Sequence, residues 1–307
     1  MATGVEINRT NVTLPADVSR EIMQKVKEDS AIMRLSTQIE LPGRGTTIPV
    51  ILGDPTAQWV AETGTKPVSN PSVGTKLMSA YKMAVIEIFS KEFTRDMKAL
   101  YDALIARLPA ALAKLFDYTA LGGTDKPGAN FDNFASCTAC SLIPSSDAST
   151  YDGLVAADTE IATHGGILNG FGLGAQARGI LLSATDSTGR PLFVNSVAEG
   201  AIPRILGVPT VFNRGLYVAG TAAAGSDPGD PAVVGVAGDW TKAMYGMVEG
   251  VNISFNDKGV VTVGSGSDAV QVNLWQQNMI GVLAEVEIGF RADTDCFALL
   301  TGAIPTT

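Results

Sequence analysis

The order of apolar patterns predicts an α+β fold: strands and one dominant helix come first, then a mixed run of short strands and helices, then a closing set of strands. Three observations carry this. Met97, Leu100, Tyr101, Leu104, Ile105, Leu108, Leu112, Leu115 and Phe116 follow steps of three and four, the strongest helical period in the chain. Residues 43–82 read instead as strands and turns, with Thr46 to Leu52, Gln58 to Ala61 and Thr75 onward separated by Gly53-Asp54-Pro55 and Gly64-Thr65-Lys66-Pro67. From Met247 the pattern is β again, ending in strand candidates Gly281 to Arg291 and Cys296 to Leu300.

Taken in order, residues 1 to 13 are polar without periodicity and read as an arm. Val18, Ile22 and Val26, with Met23 beside them and Pro15 near the start, predict a short amphipathic helix strapped onto something else. Pro67 and Pro71 interrupt the next region, which predicts a long two-stranded excursion with a loose tip. Such a hairpin is only marginally stable alone and is expected to lean on a neighbouring molecule. Tyr81 to Phe89 reads as a buried strand, and Thr94 as the N-cap of the long helix. Pro109 removes one backbone hydrogen bond inside that helix, which predicts a kink near Ile105 to Pro109.

Gly122 to Gly128 and the Ser-rich Ile143 to Asp147 bracket a linker-like region. Ser149-Thr150-Tyr151-Asp152 then has capping-box spacing and opens a helix ending at Gly165-Gly166, where a second domain is expected to begin. Strands are predicted at Gly179 to Ser183, Arg204 to Phe212, Leu216 to Ala219 and Ala232 to Gly238. Between the last two, the small-residue loop Gly220 to Pro231 is one that no core would order by itself. Asn256-Asp257-Lys258-Gly259 reads as a hairpin turn and Gly264 to Ser267 as another.

Composition narrows the function classes. Of 307 residues, 46% are hydrophobic and only 17% charged, below the roughly 25% of an average soluble domain. Mean hydropathy is +0.20, yet no stretch reaches the ~18 apolar residues of a membrane span. Net charge is −9 without basic clusters, which argues against sequence-wide affinity for nucleic acid. His164 is the only histidine, and this removes the usual parts of zinc enzymes and acid–base hydrolases. Cys137, Cys140 and Cys296 make an odd count, which predicts reduced thiols of a cytoplasm.

The remaining chemical motifs are thin. Cys137 and Cys140 have CxxC spacing but lack the second pair a zinc site needs. Gly170 to Gly179 is glycine-rich, yet a dinucleotide loop would need glycine at Ala175, and Gly179 to Ser183 looks like a strand where that motif wants a helix. His164, at a helix end before two glycines, reads as a residue interacting with the helix dipole. Asp293 and Asp295 are two carboxylates without further oxygen ligands, a weak cation site. No cofactor or metal is expected.

The order of motifs resembles the major capsid proteins of tailed bacteriophages with the HK97-type fold. The stretches that carry the likeness are Ala57 to Glu62, Gly64 to Asn70, the strand Tyr81 to Phe89, and Ser90 to Asp96 leading into the long helix. Later matches are Asp186 to Phe193, Ile205 to Val211, Gly238-Asp239-Trp240 and Asn278 to Arg291. The resemblance implies an N-terminal arm (1–44), an extended β-hairpin E-loop (45–80), a P-domain with a long spine helix (81–148), an inserted A-domain (149–240) and return strands of the P-domain (241–307). It implies hexamers and pentamers of this chain closing into an icosahedral shell around double-stranded DNA, which is not bound sequence-specifically. Arm and E-loop would lap neighbouring subunits, and the Gly220 to Pro231 loop would lie near the capsomer axis.

Little room precedes the arm, so the resemblance implies a separate scaffolding protein. A portal protein is a further partner, and a decoration protein is left open. Assembly in the host cytoplasm and residence in the virion follow, with no enzymatic role. Some members lock their shells covalently, a Lys amine attacking an Asn side chain while a Glu accepts protons. Lys66 matches the E-loop lysine, and Asn278 and Glu285 match the other two. Along a strand, residues seven apart face opposite sides, so this chemistry would need a twist or bulge between Asn278 and Glu285. The alternative is that all three are ordinary polar residues of a non-crosslinking shell. Two other readings stay open at this level: an encapsulin-type nanocompartment, told by a cargo peptide on a neighbouring protein, and a cytoplasmic α/β enzyme, told by the lack of any particle.

Overall fold

The computed structural model describes residues 16–43, 45–52, 59–60, 72–92, 97–143, 149–185, 188–193, 204–224, 228–248, 250–264, 266 and 269–305. The arm at 1–13, the Thr94 cap, Lys66 and the Gly64 to Asn70 motif lie outside the described residues. The first half contains α1 (Ala16–Asp29), α2 (Ala31–Leu35), β1 (Thr37–Glu40), β2 (Thr46–Leu52), β3 (Ser72–Met78), β4 (Tyr81–Ser90), α3 (Met97–Leu121), β5 (Thr138–Ser141) and α4 (Thr150–Thr163). Then come β6 (Gly170–Gly174), α5 (Ala175–Ser183), β7 (Arg204–Ile205), β8 (Val208–Asn213), β9 (Val233–Gly238), β10 (Ala243–Met247) and β11 (Asn252–Asn256). The last are β12 (Val260–Val263), β13 (Val270–Asn273), β14 (Met279–Ala292) and β15 (Phe297–Thr301).

Two larger sheets organise the chain. In the first, β14 is the central strand. Its Met279–Ile288 segment pairs antiparallel with β4, while β10 and β11 pair antiparallel with successive segments of it and β1 runs parallel to β10. In the second, the order is β5-β15-β9-β6-β8-β7. β15 is buried along its whole length and alternates its contacts: Phe297 and Leu299 enter the core under α3, while Ala298 and Leu300 enter the core under α4 and α5. A period of two with both faces covered is what an apolar run of five residues dictates.

α1 is strapped onto the protein's own α3. Ile22, Met23 and Val26 are buried, and the partners on α3 include Leu108, Leu112 and Phe116. α3 is one element of 25 residues with Pro109 inside it. Phe116 of α3 forms edge-to-face contacts with Phe131 and Phe290, and Phe134 with Phe290, with ring centroids 5.6–6.3 Å apart, a cluster continued by Phe297 and Trp240.

Several expectations need correction. Gly179 to Ser183 is no strand but the end of α5, whose buried residues Ala177 and Leu181 are four apart. The glycine-rich stretch therefore does run from strand into helix. Its glycines serve packing: a Cβ on Gly174 would stand 2.3 Å from the Leu216 carbonyl oxygen, and one on Gly170 2.9 Å from Trp240. β4 is half-buried instead of buried: Tyr81, Met83 and Val85 pack against the core, while the alternate residues face away from it and leave Ile86 51% exposed. Asn256 to Gly259 joins no hairpin. It hands the chain from β11, which pairs with β14, to a separate ribbon in which β12 pairs with β13. The Gly220 to Pro231 loop is closed by its own base, where Thr221 and Asp230 exchange backbone hydrogen bonds of 3.0 and 3.1 Å.

The capping box at Ser149 is present, with both reciprocal hydrogen bonds made to Asp152. Gly238-Asp239-Trp240 also gains a physical reason. Asp239 accepts from the amides of Ile167 and Thr241 and from Asn169 Nδ2, and Trp240 Nε1 donates to the Gly170 carbonyl at 2.9 Å. Gly238 is needed because a Cβ there would lie 2.0 Å from the Phe297 ring.

Candidate functional site

The residues singled out for chemistry are dispersed among structural tasks. His164 caps α4, its Nδ1 3.1 Å from the Glu160 carbonyl oxygen, as a helix-end residue should be. All three cysteines are free thiols. Burial pushes the Cys137 thiol up to about 12, helped by the Asp295 carboxylate, and its Sγ donates to the Thr294 carbonyl. A thiol so protonated is a poor nucleophile or metal ligand. Asp293 and Asp295 flank a short turn before β15, and among the described residues no cluster of three His, Cys, Asp or Glu side chains is placed to hold a metal.

Asn278 and Glu285 are not brought together. Asn278 sits in the left-handed region, φ 54°, in the turn before β14, and its carbonyl accepts from Lys91 N at 2.9 Å. Glu285 lies within β14 and pairs with Lys82 Nζ at 3.4 Å. The six steps of strand from Met279 to Glu285 span about 20 Å at ~3.3 Å per residue. Within one chain these two side chains cannot share a reacting centre.

What the fold does build is a set of fixed surfaces. Arg291 on β14 donates from Nη1 to Asp132 at 2.8 Å, from Nη2 to Asn130 at 3.1 Å, and from Nε to the Leu77 carbonyl at 2.8 Å. Lys76 Nζ donates to the Ala292 carbonyl at 3.2 Å. Leu77 and Lys76 belong to β3, so these bonds bind the base of the β2–β3 hairpin to the end of the central strand. Beyond it, Trp59 is fully exposed, a costly placement for the largest apolar side chain unless something covers it.

A second polar node sits under the helices. Asp117 on α3 is fully buried and accepts from Ser30 Oγ at 2.6 Å, Ala31 N at 2.9 Å, Ile32 N at 3.3 Å, and Asn213 Nδ2. Burial raises its carboxyl to about 6, against the lowering effect of these four donors. The node joins the α1–α2 junction, α3 and the end of β8. Neither Asp117 nor Arg291 was identified from sequence, since their partners lie 85 to 214 positions away.

A pocket of about 210 Å³ between β4 and α3 is lined mainly by Tyr81, Met83, Leu115, Phe116, Phe131 and Ile288. Lys82, Thr119 and Asp125 add polar side chains to its wall.

Comparison with known proteins gives this arrangement its context. The model of the phage capsid family matches residues 10–299. The probable major capsid protein gp17 of Mycobacterium phage D29 is 26% identical over 95% of this chain and 90% of its own length. Its counterpart in Mycobacterium phage L5 is 27% identical with the same coverage. Among solved structures, a chain of Gordonia phage Cozz aligns with a TM-score of 0.67 and 21% identity, covering 90% of this chain and 87% of that one. The capsid of a native GTA particle aligns with a TM-score of 0.60 and 14% identity over 99% of this chain and 95% of that one. A family model matched from residue 10 to residue 299, on a mixed α+β fold shared with capsid structures, leaves one assignment: the chain belongs to the phage capsid family.

Proposed function

We infer that this chain is the major capsid protein of a phage head, many copies of which close into an icosahedral shell of hexamers and pentamers around packaged double-stranded DNA. The observation that carries this reading is the near-complete coverage by the family, in both sequence and fold. The HK97-type division belongs to the proposal. In it the β2–β3 excursion is the E-loop, α3 the spine helix, 149–240 the inserted A-domain, and 1–44 the arm. Supporting it, β2 and β3 form a sheet of their own, anchored at one end by Arg291, and α3 spans the first core.

A scaffolding protein and a portal are the proposed partners, assembly takes place in the host cytoplasm, and the mature location is the virion. The excess of acidic residues, 31 against 22 basic, suits a wall that encloses DNA without gripping it. Lys66, Asn278 and Glu285 stay a proposed crosslink. Since β14 holds Asn278 and Glu285 apart, the three would meet only by coming from different subunits. Sedimentation of the purified protein, alone and co-expressed with its scaffolding protein, tests the reading. Shell-sized particles are expected, and a chain that stays monomeric under both conditions overturns it.

A further inference from the structure

The pocket of about 210 Å³ between β4 and α3 has walls that cannot fall inward. The Tyr81 hydroxyl accepts from Asn130 N at 3.1 Å, and Gly128 lies so near that a Cβ there would stand 2.4 Å from Tyr81 Oη. Phe131 is held edge-to-face against Tyr81 at 6.2 Å and against Phe116 at 6.3 Å. Protein interiors leave few voids larger than a water, and an apolar cavity of ~150 Å³ binds benzene. This pocket is larger, and its rings are already fixed.

The mouth narrows the class of guest. Met83, Phe116 and Ile288 line an apolar interior, and in such sites a few polar groups at the rim set orientation. The Lys82 ammonium is turned to Glu285 at 3.4 Å and Glu287 at 3.9 Å, and Thr119 Oγ1 meets Thr124 Oγ1 at 3.0 Å. The exposed Asp125 carboxylate is then the group a guest meets, and a carboxylate only accepts hydrogen bonds. It repels an anion and favours an N–H or O–H donor, while the apolar interior disfavours any charge.

The same walls reach the β2–β3 hairpin. Asn130, which donates to Tyr81, accepts from Arg291 Nη2 at 3.1 Å and donates to Ser79 Oγ at 3.1 Å, and Arg291 Nε donates to the Leu77 carbonyl at the base of β3. Phe131 sits between Asn130 and Asp132, the other side chain that Arg291 grips. A guest that immobilises Tyr81 and Phe131 therefore immobilises the residues from which the hairpin springs.

We propose that this pocket binds a compact, uncharged aromatic molecule bearing one hydrogen-bond donor, and that its occupancy stiffens the base of the β2–β3 hairpin through Tyr81 and Asn130. This goes beyond the shell reading and does not depend on it.

Indole is the probe, titrated calorimetrically into full-length, unassembled subunits whose fold is verified by circular dichroism. A Kd of about 0.1–1 mM is expected for a guest of this size. Benzoate, of similar size but negatively charged, should bind roughly tenfold more weakly. Leu115, 41% exposed at the rim, allows Leu115→Trp to plug the pocket and abolish binding, and the surface variant Asp125→Ala should weaken it several-fold. Hydrogen exchange reads the second half of the proposal: saturating indole should slow β2 and β3 amides roughly threefold in the unmutated protein. Tyr81→Phe keeps the ring but loses the bond to Asn130, so it should bind indole without that slowing. No binding by the folded, unmutated chain at millimolar indole, or equal binding by Leu115→Trp, overturns the site. Equal binding by Asp125→Ala overturns the donor class, and binding that leaves hairpin exchange unchanged overturns the coupling.

Discussion

Replacing Asp117 by Asn exchanges a buried carboxyl for an amide of the same shape and should unmask a pH-dependent stability term. In the folded chain the carboxyl is raised by burial from 3.8 to about 6, a shift of about 2 units. At about 1.4 kcal/mol per unit this amounts to about 3 kcal/mol. Because the folded-state value is raised, the folded chain holds this proton more tightly than the unfolded one. Its contribution to stability is therefore fully present below about pH 3.8 and is lost as the pH rises through about 6. The amide cannot titrate, so Asp117→Asn deletes that dependence. Turned the more favourable way, its NH2 faces Ser30 Oγ, which can accept, but also Ile32 N, a donor that loses its acceptor. The lost bond costs ~1–3 kcal/mol. The protonated acid escapes this because its O–H can turn to Ser30 Oγ while the same oxygen keeps a lone pair for Ile32 N. The variant should be less stable by roughly 1–3 kcal/mol near pH 4, with the gap about 2 kcal/mol smaller near pH 7. Urea denaturation of unassembled subunits across that range measures the gap. A gap that stays constant with pH refutes the reasoning.

Three further outcomes follow from the packing and the thiols. Gly153 on α4 lies so close to β5 that a Cβ would be 2.0 Å from the Ser141 carbonyl oxygen, so Gly153→Ala should cost about 1–3 kcal/mol, read as a fall in melting temperature of the subunit. Cys137, pushed up to about 12, should resist alkylation by iodoacetamide near neutral pH in the folded chain and react on denaturation; rapid labelling of the native protein at Cys137 would show that its thiol is not so held. If Lys66 and Asn278 form an isopeptide bond, mature particles give a ladder on denaturing gels that Lys66→Arg abolishes, whereas a clean band near 31.9 kDa removes the bond and leaves the three residues as ordinary polar side chains.

The sequence was most legible where local chemistry and tertiary packing agree. Ser149 and Asp152 announce a capping box because both partners sit within four residues, and β2 is found at its predicted bounds, Thr46–Leu52. The helix from Met97 is legible because its apolar period runs for more than five turns. Gly179 to Ser183 misled because four residues of Gly-Ile-Leu-Leu type suit a strand or a buried helix equally, and only the spacing from Ala177 to Leu181 decides. Asn256 to Gly259 has turn chemistry, but the partner of β11 is β14, and register with a distant strand cannot be read locally. Asp117 was invisible for the same reason. On the helix it is one acidic residue between Phe116 and Tyr118, and what makes it a node are Ser30 and Asn213, brought in by the fold.

The low charged fraction finds its explanation in the same surfaces. Trp59, Ile86, Val263, Val270 and Trp275 are all exposed in the single chain, which is a liability for a monomer and an asset for a subunit. The most direct test of that account is a negative-stain micrograph of the protein co-expressed with its scaffolding protein. Closed shells tens of nanometres across, built chiefly of this 31.9 kDa chain, are the predicted result. Well-folded, dispersed subunits with no particle in the field would contradict it.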